Sequence, residues 1–281
     1  MIEKSAQIVP QRSPSWLPVL VRTPRSRIDA MRGQARLLQV AGTVVFILAS
    51  LFVTMFTVDA WAIIEMRRIP TPFVDVFHGI TNFGKSGWLL FPLLGLLIIF
   101  LAACTWARPR FAKLVLGAVA IRLGFLFVAI GAPGLFTSIV KVIIGRARPY
   151  ISSGNPFVFD PFALHAQNMS LPSGHSTSAF AAAIAIGAVW PRIGAAVWVY
   201  ALLIGVSRVI VTAHFPSDVL ASAAIGIVGS LLVRNYFAAR RLVFCVRTDG
   251  QIRALPGPSF RRSRSAVASL LTGRAPRRTS S

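Results

Sequence analysis

The chain has 281 residues, 55% of them hydrophobic and only 14% charged, with a mean hydropathy of +0.68. Soluble domains carry about 25% charged residues, so a water-soluble globule is excluded and membrane-spanning segments are expected. The formal net charge of +22 could point to nucleic acid, but the basic residues gather in two tails and short loops, as in membrane proteins with cytoplasmic basic segments. The two cysteines, Cys104 and Cys245, give neither a disulfide framework nor zinc spacing.

Residues 1–36 hold seven basic side chains among Ser and Pro, with no repeating apolar face, and read as a disordered cytoplasmic tail. The first span is expected over 37–64. Ala60-Trp61-Ala62 has the shape of a signal-peptide cleavage site, but the apolar run exceeds the roughly 7–15 residues of a signal core, so a retained anchor is expected. Phe73, Val76, Phe77, Ile80 and Phe83 then recur at helical spacing between Pro72 and Gly84. They predict an amphipathic interfacial helix that either guides a lipid or braces the spans.

Further spans are expected over 88–107, 113–141 (interrupted by Arg122 and by Pro133-Gly134), 173–190, 193–207 and 216–233. The fold class is therefore an all-α, polytopic membrane helical bundle with about six transmembrane helices over 37–236. With the N-terminus inside, 22 basic residues fall on the inner side and 7 on the outer, so both termini are expected in the cytoplasm. Residues 237–281 read as an Arg/Ser/Pro-rich cytoplasmic tail. It has a weak hairpin signal at Asp249-Gly250, is otherwise disordered, and can touch anionic headgroups.

Three stretches break the apolar pattern at span ends: Lys141 to Pro149, Pro172 to His175, and Ser207 to Asp218. The count above puts all three on the outer face. Ser173 is a good N-cap, Gly174 removes side-chain bulk, and the free N–H groups of that first turn can receive an oxyanion. Lys141, Arg148 and Arg208 can surround the same anion, Arg by its planar fork. Asp218, four residues after His214, can accept from one ring nitrogen and free the other as a nucleophile. His175 is then the second imidazole, protonating the leaving oxygen and later accepting a proton from water. No carboxylate cluster offers a metal site, so no metal or other cofactor is expected.

These residues carry a resemblance to the type 2 phosphatidic acid phosphatase superfamily, whose signatures are K-x6-RP, PSGH and SR-x5-H-x3-D. Lys141…Arg148-Pro149, Pro172-Ser173-Gly174-His175 and Ser207-Arg208…His214…Asp218 match every position. The resemblance implies a metal-independent membrane phosphatase acting on a lipid phosphate through a phosphohistidine. His214 would be the nucleophile, His175 the general acid and Asp218 the orienter of His214, while Lys141, Arg148, Ser173, Gly174 and Arg208 would bind phosphate. The expected setting is a bacterial inner membrane with a periplasmic site. Phosphatidate, phosphatidylglycerophosphate, polyprenyl diphosphate and lipid A stay open as substrates. A lipid-phosphate binder or translocator, and vanadate-dependent haloperoxidase-like chemistry, are the alternatives. Nucleic acid is not expected as a partner, because neither tail has a folded basic module. Asp59, either facing the site or capping its span, Arg122, snorkelling inward, and His165 and Asn168, near a headgroup, are left outside the catalytic set.

Overall fold

The computed structural model describes residues 33–107, 110–247 and 249–272. The basic tail up to residue 32 and the last nine residues lie outside them. Helices α1 (Gly33–Thr57), α2 (Asp59–Met66), α3 (Thr71–Asn82), α4 (Ser86–Trp106), α5 (Arg110–Ile144), α6 (Gly174–Val189), α7 (Gly194–Ile210) and α8 (Pro216–Ala239) follow in order. The chain is an all-α membrane bundle. Leu37–Thr57, Thr71–Trp106, Arg110–Ile144, Pro191–Ile210 and Pro216–Ala239 are long and apolar enough to cross a bilayer. The first expected span is shorter than predicted: the helix breaks at Val58 and restarts at Asp59.

Helix α6 is the centre. Its 16 residues span about 24 Å, less than the hydrocarbon thickness, and it packs against α5, α7 and α8 rather than facing lipid along its length. Its run of Ala179, Ala181, Ala182, Ala183 and Ala185 is buried, and such small side chains let the neighbours come close. At Gly226 of α8 an added Cβ would lie 2.6 Å from the Thr177 carbonyl oxygen and 2.9 Å from the Ala181 nitrogen.

The interruption expected within the third span is absent, since α5 runs unbroken through Pro133. Proline costs a helix one backbone bond and some crowding, and here the ring is packed against the backbone of α8 at Gly229. Helix α3 packs onto the bundle: Ile80 joins the cluster around Phe180 and Ile204, and the Phe83 carbonyl accepts from the Tyr200 hydroxyl at 3.0 Å.

Midway along α5, Phe125 stacks edge-on against Phe237 and Phe244. Phe244 opens a two-stranded antiparallel hairpin, β1 (Phe244–Val246) and β2 (Ile252–Ala254), with Cys245 opposite Arg253. The Arg122 guanidinium donates to the Ala118 and Leu255 carbonyls, tying the hairpin to α5. Helix α9 (Phe260–Thr272) stands where disorder was expected, with Ala266 packed onto Ala107, Ala112, Val115 and Leu116.

Candidate active site

The three motifs converge at one end of the bundle. Lys141 is in the last turn of α5, Arg208 in the last turn of α7, and Asp218 in the first turn of α8. Ser173 caps α6, so Gly174 and His175 are its first two residues.

After α5 the chain reverses at Gly145, whose φ is +62°. A Cβ there would fall 1.7 Å from the Asp160 carbonyl oxygen, so only glycine fits the turn. The loop then returns antiparallel to itself. Ala147 N–H donates to Val158, Arg148 N–H to Gln167 and Ser170 N–H to Arg146, each at 2.9 Å. Arg148 Nε donates to the Ala166 carbonyl, which leaves the rest of its fork for a ligand.

Ser173 is wholly buried. Its Oγ accepts the Ser176 N–H, its own N–H donates to Ser222 Oγ at 2.6 Å, and Ser222 Oγ in turn donates to the Asp218 carbonyl. The N–H groups of Gly174 and His175 begin the helix and have no intrahelical acceptor. The Cβ position of Gly174 lies 3.5 Å from Lys141 Nζ, so the first-turn amides and the ammonium share one space. His175 lies within Coulombic reach of Arg208, His214, Lys141 and Arg148. A cleft of about 490 Å³ between α4 and α5 reaches Lys141, Gly174 and His175 and is also lined by Lys85, Leu90 and Gly134.

Arg208 is 7% exposed and donates to Thr81 Oγ1 of α3 at 2.6 Å, while its Nε is buried without a partner. Its carbonyl holds the next segment by accepting the N–H groups of Ala213 and His214. Thr212, at φ +50°, turns the chain between them.

His214 is 2% exposed. Its Nδ1 lies 2.8 Å from the Ser170 carbonyl, an acceptor only, so Nδ1 carries the proton and Nε2 keeps its lone pair. This differs from the expected direct bond to Asp218, whose Oδ2 is 3.7 Å from Nδ1. Asp218 acts one step back: Oδ2 accepts Ser170 Oγ at 2.6 Å and the Phe215 N–H at 2.9 Å, fixing the residues that flank the ring. Burial pushes the His214 pKa down to about 4, against the opposing pull of Asp218 and with further lowering by Arg208 and Arg148.

The sequence reading did not single out Arg146, Ser170 or Thr81. Arg146 is fully buried and ion-paired to Asp59 and Asp218. His165 flanks a 3₁₀ turn, and Asn168 bonds Asp160, outside the cluster. Among the described residues no group of three or more His, Cys, Asp or Glu side chains is arranged to hold a metal ion.

A family model described as the PAP2 superfamily matches residues 122–242. The chain is 34% identical over 190 residues to the lipid A 1-phosphatase of Rhizobium johnstonii, covering 66% of this chain and 77% of that one. It is 35% identical over 174 residues to the lipid A 1-phosphatase of Rhizobium etli, covering 61% and 74%. The crystal structure of Aquifex aeolicus LpxE aligns at 26% identity and a TM-score of 0.44, covering 60% of this chain and 90% of that one.

Proposed function

The chain belongs to the PAP2 superfamily and is a membrane phosphatase, and we propose that it hydrolyses the phosphate monoester of a lipid A-type glycolipid through a phosphohistidine on His214, without a metal. The observation that carries this is the His214 ring. It is buried, its Nδ1–H is committed to Ser170, its Nε2 keeps its lone pair, and Arg148 and Arg208 lie within Coulombic reach of the ring.

In this reading the phosphate docks on the Gly174 and His175 amides between Lys141, Arg148 and Arg208, which supply the positive charge a metal would otherwise bring. Nε2 attacks phosphorus, the P–O bond to the lipid breaks, and His175 gives a proton to the departing oxygen. His175 then takes a proton from water, whose oxygen displaces Nε2 and releases inorganic phosphate. The cleft between α4 and α5 lets a lipid keep its chains in hydrocarbon while its phosphate reaches the cations. The two lipid A 1-phosphatase relatives favour a glycolipid 1-phosphate over the other lipid phosphates. The positive-inside count supports both termini in the cytoplasm and a site on the opposite face, and in this reading that face is the periplasmic side of a bacterial inner membrane.

Phosphate release by the purified protein in detergent tests this across lipid A, phosphatidylglycerophosphate, phosphatidate and undecaprenyl diphosphate. Release is expected from lipid A, undiminished by EDTA and abolished in His214→Ala and His175→Ala. Full activity in His214→Ala, or strict dependence on added divalent metal, would overturn the mechanism.

A further inference from the structure

The segment that holds His214 is anchored from outside the stretch the family model matches, which begins at residue 122. Asp59, first residue of α2, is fully buried. Its Oδ1 accepts the Ser217 N–H at 2.9 Å, and its Oδ2 accepts Ser217 Oγ and, at 2.7 Å, the Arg146 guanidinium. The other end of the same guanidinium reaches Asp218 Oδ1 and Ser217 Oγ, and its Nε donates to the Pro156 carbonyl at 3.0 Å. The guanidinium also lies over the Phe215 ring, 4.2 Å from its centroid.

Three desolvated charges, two negative and one positive, therefore sit behind His214. Apolar side chains of the same volume would join α2, the loop and α8 at least as well, because a buried ion pair seldom outweighs its own desolvation. What apolar side chains would not do is carry charge to the ring. The contacts run from Asp59 through Arg146 to Asp218, from Asp218 Oδ2 to Ser170, and from the Ser170 carbonyl to His214 Nδ1. Arg146 paired with Asp218 alone would cancel its charge. With Asp59 on the other side, the trio keeps one net negative charge. Arg148 and Arg208 also lie within Coulombic reach of the ring, and Lys141 within reach of His175.

We propose that Asp59 and Arg146 are positioning residues for His214. They fix Asp218 in place and preserve the negative charge that stabilises the ring as it turns cationic on forming its bond to phosphorus. The proposal rests on the phosphohistidine reading above. In that step the N–P bond forms as the P–O bond breaks, so positive charge appears on a ring whose Nδ1–H is retained. Stabilising it lowers the barrier to attack more than it tightens substrate binding, so the effect belongs in kcat.

The test uses the full-length protein in detergent, reading kcat, KM and melting temperature on a lipid phosphate that wild type turns over. Asp59→Asn keeps an acceptor for the Ser217 N–H and removes the charge. Assayed well below its melting temperature, which the loss of one buried ionic partner lowers, its kcat is expected to fall about tenfold or more with KM within about twofold. Arg146→Lys, which cannot span both carboxylates, is expected to lose kcat in the same way, and Asp59→Glu to retain more than Asp59→Asn. Wild-type kcat in Asp59→Asn, with His214→Ala inactive, overturns this inference alone. A fall in kcat confined to temperatures near the melting temperature, or failure of all three variants to fold, assigns the trio to folding and overturns it as well. Full activity in His214→Ala removes the phosphohistidine reading and the inference with it.

Discussion

At the scale of single residues, the central fact is a histidine kept neutral. An imidazole in the unfolded chain titrates near 6.5, whereas burial holds that of His214 at about 4. Because the folded value is depressed, the unfolded state binds the extra proton first between these values. Stability from this group is therefore complete above about pH 6.5 and is lost as pH falls toward about 4. The melting temperature is expected to decline across that window, with the His214→Gln variant showing a shallower decline. An equal slope in wild type and variant would show that the ring is not the titrating group. In the phosphohistidine mechanism proposed above, the same neutrality would keep Nε2 available as a nucleophile at mildly acidic pH.

Residues also differ in how plainly a sequence shows them. Lys141, Arg148, His175, Arg208, His214 and Asp218 stand out because each interrupts an apolar run with a group that is costly to leave there. Arg146 has the same residue type and location, yet two positions before Arg148 it reads as one more headgroup anchor. Its meaning depends on Asp59, 87 positions away, which sits on the far side of a helix break. Thr81 is still more hidden, a small polar residue beside an apolar stripe that meets Arg208 across 127 positions. Ser170 is a loop serine until its carbonyl is seen against an imidazole.

At the scale of elements, apolar length found the spans, and local signals misplaced some of their interruptions. Pro133 reads as a break, but the helix continues because its ring has a packing partner in α8. The break that does occur, at Val58, carries neither Pro nor Gly, and it brings Asp59 to the site. Close packing around α6 gives a second expectation. A methyl at Gly226 would press on the backbone of Thr177 and Ala181, which cannot step aside. Gly226→Ala is therefore expected to cost about 1–3 kcal/mol, read as a lower melting temperature in detergent. Gly95→Ala, where a Cβ meets nothing within 4 Å, serves as the control and is expected to melt no lower than wild type.

At the scale of the molecule, the bundle has two chemically distinct ends. One gathers Lys141, Arg208 and Arg148 around the start of α6. The other, about 28 Å away along α5 from Lys141 to Arg122, closes with the hairpin that Arg122 holds. The orientation in the bilayer is tested by single cysteines in a background lacking Cys104 and Cys245. Leu164→Cys lies on an exposed loop at the first end, and Asp249→Cys lies in the hairpin turn. A membrane-impermeant thiol reagent added to intact cells with permeabilised outer membranes is expected to label the first and spare the second, and the reverse pattern would invert the topology.

The turn at Gly145 has a consequence for how the spacing from Lys141 to Arg148 should be read. Six intervening residues do not by themselves bring an ammonium and a guanidinium to one anion, because a chain that simply ran on as helix would carry the second cation about 10 Å further along the axis. The reversal brings it back, and it passes through a point where no side-chain carbon can exist. The interval between the two cations is thus a folded path rather than a length. A chain that kept both at this spacing but filled that point would have to trace another route, and its matching letters would no longer describe a shared pocket.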